Sequence, residues 1–437
     1  MITSNWLRSL GLGAAAIMIA VACSGGGGGA TTAPSRAPAT SGAATDAPET
    51  DAPESEAPES EAPESEAPES EAPESEAPGS EAPGSEAPSS PGGEGEFTLG
   101  FSNAFGIGNG FREEQLCTAK AQALVSGQVA SGTWLHQDDA TYPQLQQFND
   151  LIAAQPDAII FNPNSPDGLN QAIDQAQEAG ITTVAIDAYV TDPETYNLSN
   201  DQEGYGYVGA KWLFERVGSG NVYYMRGIVG HPADLDRHQG VMRALAEHPE
   251  ITLLPSNDGV GTDWSPDRGT QLINDLITSG GYADIDGIWT SGIDQQIVDA
   301  IAESGEEFVP IVGADLKGFV EQLLNVSGNY EGLEGIAVYN PAAVGGAGVK
   351  LALDVLNGNE PETTTVTRTD SQGNEVEISA VFLPTPEAYS NDTPEGIENL
   401  ERINVEGLNN LWPVSWYIDG WTDYSFDEML ACRAPGE

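Results

Sequence analysis

Across the body of the chain, short continuous apolar runs alternate with longer stretches in which apolar residues recur every three or four positions. The runs fall at residues 97–101, 158–161, 183–186, 221–225, 287–289, 310–312 and 335–338. Each has strand length and lacks the in–out alternation of a strand with one wet face, so each is expected to be covered on both sides. Residues 142–154, 167–179, 204–216, 267–278 and 294–303 carry the helical period instead. Strand then helix, repeated, predicts an α/β fold with parallel sheets between layers of helices. The stretch 97–437 is too long for one ordinary core and predicts two lobes.

Before residue 97 the pattern vanishes. Residues 49–88 repeat a pentad, APESE drifting to APGSE. Proline every fifth residue, mutually repelling glutamates and almost no apolar side chains preclude a packed core. At about 3.1 Å per residue, the low-complexity stretch 24–96, fully extended, would reach on the order of 200 Å, and a coil far less. The opening residues read as a targeting signal: Arg8, then an apolar run over 10–22 too short to span a bilayer, then small residues ahead of Cys23. The expected organisation is a signal peptide at 1–22, a tether at 23–96 and a two-lobed domain at 97–437.

Charge and cysteine content narrow the function. With 68 acids against 15 bases the net charge is −53, which repels phosphate backbones and excludes nucleic acid as a partner. It also disfavours lying flat on an anionic membrane. There are three cysteines. If Cys23 is modified, Cys117 and Cys432 remain in a disulfide-permissive compartment and are expected to pair.

The residues that close the apolar runs carry the chemistry. They end in Asn162, Asp187, Thr290–Ser291, Asp315 and Asn340. Ligands of open α/β sheets sit outside the carboxyl ends of strands, and a cluster of short amides, carboxylates and hydroxyls there suits a ligand rich in hydroxyls. Any one such residue could simply cap a helix, and Ser165 and Asp294 are read that way. All five strand ends together exceed what capping explains.

Taken in order, residues 157–187 (DAIIFNPNSPDGLNQAIDQAQEAGITTVAID), 236–245 (DRHQGVMRAL), the stretch TSGIDQQIVDAI, 310–315 (PIVGAD) and 340–358 (NPAAVGGAGVKLALDVLNG) resemble the type I periplasmic sugar-binding proteins of the ribose-binding and LacI-like group. The resemblance covers residues 97 to about 358. It implies two Rossmann-like lobes with parallel sheets, joined by a hinge of several crossing strands and closing over a ligand. It implies no catalysis and no cofactor or metal. The partner would be an ABC transporter permease or a membrane sensor, and the protein is expected to be monomeric. Residue by residue it implies contacts from Asn103 and Phe105 after the first strand, Asn162 and Asp187, Arg237, Trp264, Asp315, and Tyr339 or Asn340. Ser291 stands near the place of a family Asn. Residues Asn109-Gly110-Phe111-Arg112 look like an Asn-x-Trp-Arg variant of some relatives, so Phe111 with Arg112 competes with Phe105 for the aromatic role. Cys23 after small residues resembles the lipobox of bacterial lipoproteins, with Ala20 where Leu is common, and implies a lipid anchor on the outer face of the cell membrane.

The chemistry of these residue types agrees. A guanidinium fork and a carboxylate can each take two adjacent hydroxyls, and aromatic faces pack against the C–H face of a sugar ring. Two departures argue against ribose itself: Ala188 stands where ribose binders carry Arg, and Ser291-Gly292 replaces an Asn. Residues 360–437 extend beyond the compact form, with Trp412, Trp416 and Trp421 expected to cover the core. The stretch from Asp370 reads as a polar hairpin turn in preference to a calcium loop. An enzyme is disfavoured. Gly106-x-Gly108-x-Gly110 lacks the spacing of a dinucleotide fingerprint, and there is no G-x-S-x-G, S-x-x-K or H-E-x-x-H motif.

Overall fold

The computed structural model describes residues 95–437 apart from 105–107, 138–139 and 385–386. The signal peptide, Cys23, most of the tether and Phe105 therefore lie outside the described residues.

Two sheets form the two lobes. The first opens with β1 (Phe97–Ala104), β2 (Val129–Gln137), β3 (Ala158–Asn162), β4 (Thr182–Asp187) and β5 (Tyr196–Ser199). The second contains β6 (Gly220–Arg226), β7 (Ile251–Leu254), β8 (Val260–Gly261), β9 (Gly287–Trp289), β10 (Ile311–Ala314) and β11 (Gly335–Val338). The chain then returns to the first sheet with β12 (Thr364–Thr369) and β13 (Glu375–Phe382), and to the second with β14 (Ala388–Ser390). The strand orders are β12-β13-β5-β4-β3-β1-β2 and β14-β11-β10-β9-β6-β7, with β8 beside β6. All pairings are parallel except β12 with β13 and β11 with β14.

Helices fill the connections: α1 (Gly110–Ser126), α2 (Gln144–Ala154), α3 (Asn170–Glu178), α4 (Gln202–Val217), α5 (Pro232–Glu247), α6 (Pro266–Thr278), α7 (Asp294–Ser304), α8 (Lys317–Leu323), α9 (Val344–Leu356), α10 (Pro394–Ile403) and α11 (Phe426–Ala431). The apolar runs are two-sided as expected. On β3, Ile160 joins the core shared with Ala119, Ala123 and Ala347, while Ile159 and Phe161 join Phe148, Leu151 and Ile173 on the other face. The glycines of α9 let it lie close to α1, where a Cβ on Gly345 would fall 2.1 Å from the Gln115 carbonyl oxygen.

Periodicity found most strands of the repeating unit and helices α2, α3, α4, α6 and α7, but not α1, α5, α8 and α9 or the strands outside the unit. Strand β2 (Val129–Gln137) is half wet, with burial that alternates along its length. Strand β5 is four residues long, and β12 and β13 belong to the extension. The stretch from Asp370 forms the turn of the β12–β13 hairpin, its carboxylate accepting from the backbone N–H of Gln372 and Asn374.

The chain passes between lobes after β5, after β11 and after β13. These crossings hold one another. Asn200 Nδ2 donates to Asn340 Oδ1 at 3.1 Å, and Gln202 Nε2 to the same oxygen at 3.0 Å.

Candidate functional site

Between the lobes, at the carboxyl ends of both sheets, lies a cavity of about 350 Å³, bordered by Phe111, Arg112, Asp187, Arg237, Trp264, Ser291, Asp315 and Asn340. That volume falls in the range of small-molecule sites. All eight are among the residues singled out in the sequence.

The first lobe presents Arg112 from the start of α1, which Asn109 caps by accepting from the Arg112 N–H. Arg112 is buried, and its terminal nitrogen donates to Asn103 Oδ1 at 2.9 Å, while Asn103 Nδ2 returns a bond to the Arg112 carbonyl at 2.8 Å. Asn103 thus sits behind the wall and holds Arg112. Burial lowers the Arg112 pKa to about 10, against the raising influence of Asp187.

Asp187 ends β4 with a left-handed backbone, φ 67°, a conformation that β-strand residues rarely take and that clusters at functional sites. Its carboxylate accepts from Asn162 Nδ2 at 3.1 Å, Asn200 Nδ2 at 3.2 Å and Gln202 Nε2 at 2.6 Å. Asn162 is therefore a support for Asp187 and not part of the lining. Burial raises the Asp187 pKa, while Arg112 and Arg237 pull it down.

The second lobe presents Arg237 from α5. Its Nε donates to Gln202 Oε1 at 2.8 Å, and its guanidinium lies 4.2 Å from the Tyr205 ring centroid and 5.7 Å from that of Trp264. Aromatic faces on a cation fix its plane and add cation–π attraction. Among the described residues this guanidinium hydrogen-bonds through Nε alone, which leaves its terminal nitrogens available to a ligand. Trp264 occupies a second strained position, φ 48°, and its ring lies over Gly227, where a Cβ would fall 2.1 Å away. Only glycine leaves that space. Trp264 Nε1 donates to Ser291 Oγ at 3.4 Å.

His231, read from the sequence as a surface or capping group, caps α5 and lies 3.3 Å from Arg112 across the cleft, edge-on to Trp264. Burial holds its pKa well below the usual range, and Arg112 and Arg237 push it the same way, so the ring is neutral. No pattern in the sequence marks it beyond its place ahead of Pro232.

Asp315 follows β10 and is fully buried. Its oxygens accept from the Asn340 N–H at 3.0 Å, the Ser415 N–H at 3.2 Å and the Ser415 hydroxyl. Burial raises its pKa to about 6, and the Ser415 hydroxyl is the main opposing influence. Asp294, expected only to cap a helix, accepts from the Gly292 N–H at 2.8 Å. It is pushed up to about 7 by burial, with Asp315 adding to the rise.

Tyr339 does not reach the cavity: its ring meets Tyr389 edge-on, centroids 5.5 Å apart. Of the alternatives Tyr339 and Asn340, Asn340 is the one at the site. Gln296, Leu411 and Pro413 also border the cavity. Among the described residues no group of three or more His, Cys, Asp or Glu could hold a metal, and no helix is long and apolar enough to cross a membrane.

A pair of parallel-sheet lobes with a polar cavity between their strand ends defines a cleft-closing binding protein. Residues 100–360 match the family described as periplasmic binding protein domain, and the chain belongs to it. It is 27% identical to the xylitol-binding protein of Mycolicibacterium smegmatis over 53% of this chain and 66% of that protein. It is 24% identical to the ribose import binding protein of Escherichia coli over 50% of this chain and 71% of that one. The chain thus spans just under two thirds of the first of these relatives. The fold is shared with an ABC transporter periplasmic solute-binding protein of Actinobacillus succinogenes with bound D-allose, at TM-score 0.56 and 20% identity, covering 70% of this chain and all of that one.

Proposed function

We propose that this chain captures a small polyhydroxylated ligand, a monosaccharide or polyol, outside the cytoplasm and delivers it to an ABC transporter permease, without catalysis. The observation that carries this reading is the make-up of the cavity. Two buried guanidinium groups, Arg112 and Arg237, are held rigid by neutral partners, beside two carboxylates and an aromatic face. Fixed donors and acceptors that lose their water on closure reward a ligand able to pair with all of them. Trp264 and Phe111 supply the apolar surfaces against which C–H faces pack. Relatives named for xylitol and ribose are similar over about half of this chain. We further propose that Cys23 carries a lipid anchor and that the acidic tether spaces the lobes from the membrane.

A thermal-shift screen of monosaccharides, pentitols, nucleosides and amino acids, followed by titration calorimetry, tests the reading. At least one sugar or polyol should raise the melting temperature and bind one to one. Binding confined to nucleosides or amino acids would overturn the ligand class. Metabolic labelling with a clickable fatty acid tests the anchor, and Cys23→Ser should abolish the label.

A further inference from the structure

The cavity has a wall that the matched family region does not contain. After α10 the chain runs without regular structure from residue 404 to 425 and passes along the mouth of the cleft. It pairs with the segment after β10 in antiparallel fashion. The Val414 N–H donates to the Asp315 carbonyl at 2.8 Å, the Lys317 N–H to the Trp412 carbonyl at 2.9 Å and the Gly318 N–H to the Asn410 carbonyl at 2.8 Å. On the other side it presses on the first lobe. A Cβ on Gly110 would fall 1.9 Å from the Leu411 carbonyl oxygen, and Trp412 Nε1 donates to Glu113 at 3.4 Å. The segment then continues to Asp423, which exchanges two 2.9 Å bonds with Gln122, and to Cys432, which is bonded to Cys117 of α1.

We infer that Ser415 is a positioning residue for the ligand site, acting through Asp315, and that residues 409–415 form a fixed fourth crossing that walls the cleft. Ser415 lies outside the matched residues 100–360, yet it supplies two of the three donors on the Asp315 side chain. With Asn340 supplying the third, the carboxylate is locked in one orientation. Of roughly four acceptor sites on a carboxylate, about one is left for a ligand. The lock works in both directions: the Asn340 N–H that Asp315 accepts from belongs to a hinge crossing whose side chain also borders the cavity. Leu411 and Pro413 add an apolar surface with no donor on that side. The ligand is therefore read by Asp315 through a single bond, and its remaining hydroxyls are met by the other polar groups of the wall, Arg112, Asp187, Arg237, Ser291 and Asn340.

This inference rests on the interlobe cavity being the ligand site, and its test separates the two. In the ligand-free protein, hydrogen exchange of the Asn340 amide reports the lock directly. Ser415→Ala should speed that exchange about tenfold, and Ser415→Thr, which keeps the hydroxyl, should not. With xylitol, D-ribose and D-allose as probes, Ser415→Ala should weaken the best binder about tenfold or more. It should also move the pH midpoint of binding upward, because the ionised carboxylate loses the hydroxyl donor while the backbone N–H of residue 415 remains. Ser415→Thr should restore both. Unchanged Asn340 exchange and unchanged affinity in Ser415→Ala overturn the inference. Equal losses in the Ala and Thr variants also overturn it, since they would mean a packing role alone. If none of the probes binds the unaltered protein, the ligand class falls, and the exchange measurement still decides whether Ser415 locks Asp315.

Discussion

The body that matches the family, residues 100–360, and the extension beyond it reach the same cleft by different means. The body offers side chains from strand ends and helix starts: Arg112, Asp187, Arg237, Trp264. Each is held by an amide or a ring set one layer back. The extension offers almost no ligand chemistry of its own. It ties together groups that the body presents, through Ser415 on Asp315, Arg368 on Asp236, and Cys432 on Cys117. All three ties join residues that are far apart in sequence, and the first two sit where the lobes meet. A body of this kind needs freedom to close, since closure over ligand is a hinge motion. The useful lesson is that a site can be read from its ligand-facing residues and still be controlled by a segment that faces away.

Removing the tie with the longest loop should show the extension's share most strongly. Cys117 and Cys432 are 315 residues apart, and in the chain-entropy view such a bridge contributes up to about 5 kcal/mol. Cys117→Ser with Cys432→Ser should lower the melting temperature by about 10 °C in scanning calorimetry. A drop of only a degree or two would mean that the extension stays docked without its bond. Peptide mapping of unreduced protein should find the bridge itself.

Arg368→Ala sharpens the comparison at the lobe boundary. Arg368 on β12 meets Asp236 on α5 at 3.0 Å, and both are almost fully buried. Deleting one partner leaves a buried carboxylate unpaired, at about 3–5 kcal/mol. Replacing both, Arg368→Met with Asp236→Leu, should recover most of that loss. If the double variant is as unstable as the single, the pair is not acting as a pair.

Arg237→Ala tests the body alone. Affinity for the best sugar or polyol should fall by about 30-fold to several thousandfold, for a loss of roughly 2–5 kcal/mol, with a small change in melting temperature. Near-normal affinity would move the site elsewhere. Asp315→Ala should behave differently: because Asp315 also holds Ser415 and Asn340, it should cost both affinity and stability.

Stability should also depend on pH. Burial raises Asp236 and Asp294 to about 7 and Asp315 to about 6, from about 4 in an unfolded chain. Between those values the folded protein binds more protons than the unfolded one, so stability is greatest at the acidic end of that window. It is lost as pH rises through the folded values and levels off above them. Melting temperature at constant ionic strength should decline from about pH 5 to about pH 7.5, and Asp236→Asn should flatten part of the slope. A rise over the same interval would contradict the assignment.

The linear sequence was enough to settle the repeating body. Continuous apolar runs of strand length alternating with helical periods bury both faces in a parallel α/β arrangement, and the polar residues at the ends of β3, β4, β9, β10 and β11 collect at the carboxyl ends of the two sheets. Position at a strand end pointed to Asp187, Ser291, Asp315 and Asn340, whereas Phe111, Arg112, Arg237 and Trp264 were reached only through the resemblance to the family. Neither separated lining from support: Asn103 and Asn162 turned out to hold Arg112 and Asp187, and Tyr339 turned to Tyr389, since the direction of a side chain at a strand end depends on what packs against it. His231 left only its place ahead of Pro232, and Gln202 and Ser415 left no mark in the sequence. Their roles arise from contacts across 119 positions to Arg112, 35 to Arg237 and 100 to Asp315. Pairings of that range have no local period, and only the folded chain, by bringing its far segments within hydrogen-bond distance, decides them.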